Sequence, residues 1–196
     1  MTEIEEAVRR FLDGDQEAFS EIVRRSEKKI YNLAWRMLGN REDAQDVVQE
    51  TFLSVFRSLR NLRDTASFST WLYRIALNHC RALQRARPLG LSIRDMPSSQ
   101  DGVEEGSSSV VHVVQQCGEE KVESRDIIRK ALAGLSEDHR TAIILKEYLG
   151  LSLEELAIVM DCPLSTAKSR LYHGLRDVQR NLKRMGVRLG DKVVES

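Results

Sequence analysis

Apolar residues recur along this chain at intervals of three and four, almost from end to end, which predicts helices and little else. The first stretch places Ile4, Val8, Phe11 and Leu12 on one side and stops at Gly14-Asp15. The period resumes through Ala18, Phe19, Ile22, Val23, Ile30, Leu33, Ala34, Met37 and Leu38. Gly39 then suits the left-handed end of that helix, and Asn40 is placed to cap the next. The third helix is read with Ala44, Val47, Val48, Phe52, Val55, Phe56 and Leu59 inward, and Glu42, Asp43, Asp46, Gln49 and Glu50 outward. Residues 60–69 read as a loop. A fourth helix starts near Ser69, with Trp71, Leu72, Ile75, Ala76 and Leu83 expected to face the core.

The pattern then lapses. Residues 96–109 are rich in Ser, Gly and acid, the composition of a flexible linker. Residues 110–114, Val-Val-His-Val-Val, are too short and isolated to assign. Helical spacing returns at Ser124 with Ile127, Ile128, Ala131, Leu132 and Leu135. Ser136 caps a further helix bearing Ile143, Ile144, Leu145 and Tyr148, closed at Gly150. Ser152 and Glu155 stand at capping-box spacing, ahead of Leu153, Leu156, Ala157 and Met160. Asp161-Cys162-Pro163 breaks that helix, because proline lacks the amide donor. The last helix, with Ser165 as its expected cap, turns Ala167, Leu171, Leu175, Val178 and Leu182 inward. Lys168, Ser169, Tyr172, His173 and Arg176 form the opposite stripe. The expected fold is all-α: two small helical domains, 1–90 and 122–196, on a flexible acidic linker, 91–121.

Composition changes this picture mainly through the distribution of charge. The 196 residues hold 30 Lys+Arg and 30 Asp+Glu, so net charge announces no partner. Residues 163–184, however, carry six basic residues against one acid, Asp177. Two short helices joined by a tight turn, the second one basic, read as a helix-turn-helix that places its second helix in a DNA major groove. Residues 65–94 contain no acid at all and hold Arg74, Arg81, Arg85, Arg87 and Arg94 behind Phe68, Trp71 and Tyr73. Arginines that track phosphates beside rings that accept bases suit single-stranded nucleic acid. The linker region is the reverse, with eight acids and two bases over residues 95–126. No apolar run approaches a membrane span, and the acidic N-terminus lacks a signal-peptide core, so a cytosolic protein is expected. Cys80, Cys117 and Cys162 are too few and too scattered for a disulfide framework or a CxxC metal site.

Three segments carry a family resemblance. Asp46-Val47-Val48-Gln49-Glu50-Thr51-Phe52 resembles the motif by which sigma factors of bacterial RNA polymerase grip the polymerase clamp helices. Residues 68–78, Phe-Ser-Thr-Trp-Leu-Tyr-Arg-Ile-Ala-Leu-Asn, resemble the segment that opens and reads the minus-10 promoter element. Residues 152–176 resemble the domain that reads the minus-35 element. Motif order and spacing place the chain with the extracytoplasmic-function (ECF) group of the sigma-70 family, nearest its sigma-E-like branch.

That resemblance implies site residues. Asp46, Val47, Val48, Gln49, Glu50 and Phe52 would bind core polymerase. Leu62, Arg63, Asp64, Thr65, Ala66, Ser67 and Phe68, with Trp71, Arg74 and Asn78, would hold the minus-10 strand. Asn78 is the leading candidate to read an extruded base, since its amide both donates and accepts. Lys168, Ser169, Tyr172 and His173 would face minus-35 base edges, and Thr166, Arg170 and Arg176 its phosphates. The resemblance implies no cofactor, metal or catalytic residue. It implies three partners, core RNA polymerase, promoter DNA and a membrane-anchored anti-sigma factor, and a place in an envelope or other stress response. An autonomous helix-turn-helix regulator would leave the N-terminal motifs unexplained. A metal or redox sensor built on His79, Cys80, Cys117 and Cys162 would need ligands from distant elements. An enzyme would need a nucleophile elbow, paired carboxylates or a phosphate-binding glycine loop, none of which occurs.

Overall fold

A computed structural model describes residues 2–86, 127, 130–132 and 134–187. The expected linker 91–121, residues 110–114, Arg87, Arg94, Cys117 and Ile128 lie outside the described residues. The chain divides into two compact units, and the described residues contain helices and turns but no strand.

The N-terminal unit holds α1 (Glu3–Leu12), α2 (Ala18–Leu38), α3 (Arg41–Ser58) and α4 (Phe68–Ala86). Thr2 opens α1 with a complete capping box: its hydroxyl accepts from the Glu5 amide, and its own amide donates to Glu5 Oε2 at 2.9 Å. Asp15 starts α2 by accepting from the Glu17 and Ala18 amides. Gly39, at φ 71°, closes α2 as expected. Asn40 Oδ1 at once accepts from the Glu42 and Asp43 amides, at 2.8 and 3.3 Å. Two residues therefore make the whole α2–α3 corner.

Helices α1, α3 and α4 pack on α2, and α3 packs on α4. Val8, Ile22, Ile30, Leu33, Met37, Leu59, Phe68, Leu72 and Leu77 are the large side chains sealed in this core. Each contributes about 1.5–3 kcal/mol by leaving water. An ion-pair network laces α1 to α2: Arg10 to Asp15 and Glu21, and Arg25 to Glu21 and Glu3. The arginines hold the Asp15 and Glu21 carboxyls below their usual range, chiefly by direct hydrogen bonds.

Two inward assignments are corrected. The buried face of α4 is Phe68, Leu72, Tyr73, Ala76, Leu77 and Cys80, whereas Trp71, Ile75 and Leu83 are only half-buried. Apolar residues lie on two faces of α4, and spacing alone does not choose between them. Phe56 is 48% exposed rather than inward. It closes the edge of a ring cluster, 5.8 Å from Phe11 and 5.0 Å from Phe19 between centroids, in the stabilising edge-to-face geometry.

The later part of the chain contains α5 (Glu137–Ile143), which runs into a π turn (Ile144–Tyr148), then α6 (Leu153–Met160) and α7 (Leu164–Arg184). Ser136 caps α5 by accepting from the His139 amide. Arg140 through Leu145 are all buried, so the chain is enclosed from the second half of α5 into the π turn. Gly150, at φ 69°, turns the chain. Ser152 and Glu155 then form the predicted box, at 2.7 and 3.1 Å. Asp161 takes a left-handed conformation at φ 53°, which aspartate tolerates better than most residues.

The cap of α7 differs from expectation. Pro163 occupies the N-cap position and its carbonyl accepts from the Ala167 amide at 3.0 Å, while Ser165 lies inside the first turn. Proline's restricted φ already suits a helix entry, so no side-chain cap is needed.

Candidate polymerase and nucleic-acid interfaces

The outer face of α3 is an exposed polar stripe: Asp46, Gln49 and Glu50 stand in solvent at helical spacing. Leu53, 40% exposed, continues it toward Phe56. The apolar half of the motif does other work. Val47 and Phe52 are buried in the N-terminal core, and Val48 is half-buried. Val47 and Phe52 thus hold the helix in place and are corrected from contact residues to supports.

Between α3, α4 and their connection lies a cleft of about 500 Å³. Two 3₁₀ turns, Leu59–Asn61 and Thr65–Ser67, shape that connection. Asp64 builds the second turn, its side chain accepting from the Ala66 amide while its carbonyl accepts from the Ser67 hydroxyl. Leu62 and Arg63 of the loop, with Trp71 and Asn78 of α4, line the cleft together. Arg74 and Asn78 are exposed and Trp71 is half-buried. Phe68 is 0% exposed; it cannot touch a ligand and is corrected to a support beneath Trp71, 6.2 Å away between ring centroids.

Ser54, Ser58, Asn61, Ile75 and His79 also line this cleft and were missed. A helical signal was present: Trp71, Ile75, Asn78 and His79 fall on one face of α4, opposite Ser54 and Ser58 at i, i+4 on α3. Ser54 Oγ and His79 Nε2 lie 3.1 Å apart, whereas neighbouring Cys80 is buried. Among the described residues, no three His, Cys, Asp or Glu side chains gather as a metal site.

In the C-terminal unit, Lys168, Ser169, Tyr172, His173 and Arg176 form one exposed stripe along α7, with Tyr172 55% exposed. Thr166 is half-buried at its start. The inner face, Ala167, Leu171, Gly174, Val178 and Leu182, is buried. Gly174 permits close approach of α5: a Cβ there would stand 3.0 Å from the His139 carbonyl oxygen. Arg170, expected at a phosphate, instead pairs with Asp138 of α5 at 2.7 Å. Its guanidinium is engaged within the unit rather than extended to solvent.

Behind this face, Arg140 is 9% exposed, with Nε and Nη1 finding no hydrogen-bond partner among the described residues. Burial holds its pKa below the usual arginine value. His139 stacks against His173 with ring centroids 6.2 Å apart and planes 20° from parallel.

Comparison with known proteins agrees with this arrangement. The sequence profile for sigma-70 region 2 matches residues 22–87, and that for sigma-70 region 4 matches residues 125–178. The chain is 33% identical over 183 residues to RNA polymerase sigma-H factor of Pseudomonas aeruginosa, covering 91% of this chain and 93% of that protein. It is 36% identical over 185 residues to ECF RNA polymerase sigma-E factor of Escherichia coli K12, covering 90% and 92%. Among solved structures, sigma factor RpoE in complex with the anti-sigma factor NepR from Bartonella quintana aligns with TM-score 0.61 and 27% identity, over 84% of this chain and 96% of that one. CnrH in complex with the cytosolic domain of CnrY shares the fold, with TM-score 0.67 and 22% identity over 92% and 97%. Exposed acid on α3, a cleft beside α4 and a basic helix-turn-helix thus coincide with sequence similarity over 90–91% of the chain, and the chain belongs to the ECF sigma factors, which direct bacterial RNA polymerase to promoters.

Proposed function

We propose a division of labour along the chain. The domain 1–90 holds core polymerase and the minus-10 element, 91–121 tethers, and 122–196 reads the minus-35 element. On α3, Asp46, Gln49 and Glu50 meet the clamp helices, where exposed carboxylates find basic partners. In the cleft, an unpaired base of the minus-10 strand enters between the loop residues Leu62 and Arg63 and the α4 residues Trp71 and Asn78. Trp71 offers a ring to stack on, Asn78 reads the base edge, and Arg74 lies outside on the strand's phosphates. On α7, Lys168, Ser169, Tyr172 and His173 meet base edges, while Thr166 and Arg176 meet phosphates.

The observation that carries this reading is the convergence of Leu62, Arg63, Trp71 and Asn78 on one cleft. A base out of the stack needs a ring face and an edge that both donates and accepts, and both stand there. The protein works in the cytoplasm as a binding factor, with no chemistry of its own. A membrane-anchored anti-sigma factor restrains it until an envelope stress releases it. The Bartonella quintana sigma factor solved with an anti-sigma factor supports a partner of the anti-sigma class, and the exposed Leu53 and Phe56 offer it apolar surface.

The test is reconstitution with core polymerase, followed by run-off transcription from promoter templates and permanganate footprinting of thymines. Transcription that depends on this chain, with opening lost in Asn78→Ala, is the expected result. Core binding with normal opening by Asn78→Ala would reject the base-reading role.

A further inference from the structure

Helix α5 touches α7 through a short run of polar contacts at its N-terminal end. Gly174 brings the two backbones together, since a Cβ there would also meet Ile143 Cδ1 at 3.0 Å and His139 Cβ at 3.2 Å. On one side of that contact Asp138 pairs with Arg170. On the other, His139 Nδ1 lies 3.3 Å from Asp177 Oδ2, and Asp177 Oδ1 accepts from Arg180 Nη1 at 2.9 Å. His139 is thereby held over α7 between His173 and Asp177, one helical turn apart. Its ring faces that of His173 at 6.2 Å, nearly parallel.

His173 is exposed and His139 is not. A solvent-facing histidine on a helix ordinarily spreads over several rotamers, and ordering it on DNA then costs conformational entropy. Here the opposing ring offers a platform on one side of the His173 imidazole, and the carboxylate of Asp177 orients that platform. An offset parallel ring pair at this separation is attractive.

We propose that His139 is a positioning and specificity-determining residue for promoter reading. Oriented by Asp177, it fixes the His173 imidazole at the base-reading stripe of α7, so base preference beneath His173 depends on a residue that touches no DNA. This rests on the reading of α7 as the minus-35 recognition helix.

The experiment uses holoenzyme assembled from the full chain and core polymerase, with competitive binding to promoters carrying every single substitution in the upstream element. His173→Ala identifies the base pairs that His173 reads. His139→Ala should lose discrimination at those same base pairs, by roughly three- to tenfold, with the other positions unchanged. His139→Phe keeps a ring and should restore most of it. The double variant should lose no more than His173→Ala alone, because coupled residues are not additive. A wild-type profile for His139→Ala, equal losses at all positions, or additive losses in the double variant would overturn the proposal. If His173→Ala itself has the wild-type profile, the assignment of His173 to the DNA face fails and the proposal falls with it. If only His139→Ala has that profile, the proposal alone fails.

Discussion

Ser54 Oγ and His79 Nε2 meet at 3.1 Å between α3 and α4, within the lining of the cleft. The contact joins the helix that carries the acidic stripe to the helix that carries Asn78, and so braces two walls of the cleft. Ser54→Ala should cost about 1 kcal/mol of stability, the net worth of one part-buried hydrogen bond. Asn78→Ala, on an exposed side chain, should change stability by less than about 0.5 kcal/mol. Both should slow promoter opening. Thermal melting and permanganate reactivity of promoter thymines, measured on both variants, separate the two effects.

The stripe on α3 predicts a second dissociation, between docking and folding. Asp46→Lys with Glu50→Lys reverses two exposed charges and should abolish co-purification with core polymerase at unchanged melting temperature. Val47→Asp, one residue away but 1% exposed, buries a charge and should cost about 3 kcal/mol or more. Circular dichroism melts beside a pull-down decide whether docking and folding separate in this way.

Arg140 is a stability cost inside the C-terminal unit. Two of its nitrogens are buried without a hydrogen-bond partner among the described residues, and the loss of hydration outweighs the attraction of Glu137. Arg140→Met keeps the volume and removes the charge, and should raise stability by about 1–3 kcal/mol. A lower melting temperature in the variant would mean that the guanidinium is compensated in the folded chain.

Acid should loosen the α1–α2 contact first. The Glu21 carboxyl is held below its usual 4.5 by hydrogen bonding to Arg25, and that of Asp15 below its usual 3.8 by Arg10. Because the folded values are the lower ones, the unfolded chain binds protons more readily. The network's contribution is therefore complete above the unfolded values and is lost as pH falls through the folded ones. The side chains are all partly open to solvent, so salt should weaken the same contribution. Arg25→Gln should flatten the acid limb of a melting-temperature profile below about pH 4.5; an unchanged limb would clear the network of any role.

Much of the fold could be read from local chemistry. The caps at Asn40, Ser136 and the Ser152–Glu155 box depend on one side chain and two or three nearby amides, and each forms as its residue type predicts. What spacing could not decide was which of two apolar faces turns inward. On α4, Tyr73, Leu77 and Cys80 take the core, and Trp71 and Ile75 are left for the cleft. On α3, Phe56 joins rings contributed by α1 and α2, a partnership set by tertiary packing. The candidate site followed the same division. Exposed polar members such as Asp46, Asn78 and Tyr172 stand in solvent, whereas Phe68, Val47 and Phe52 belong to the interior. Arg170 is drawn to Asp138, thirty-two positions away in the chain, and only folding makes the two neighbours.

The two-residue corner at Gly39 and Asn40 has a consequence for how this protein can change in length. A straight helix advances about 100° per residue, and no slack separates the end of α2 from the start of α3. One amino acid inserted there would swing Asp46, Gln49 and Glu50 a quarter-turn or more around the axis while Ala44, Val47 and Val55 lost their places. Deletion would swing them the other way. An insertion or deletion at that corner should therefore be poorly tolerated, because the corner acts as a ruler for the acidic stripe of α3.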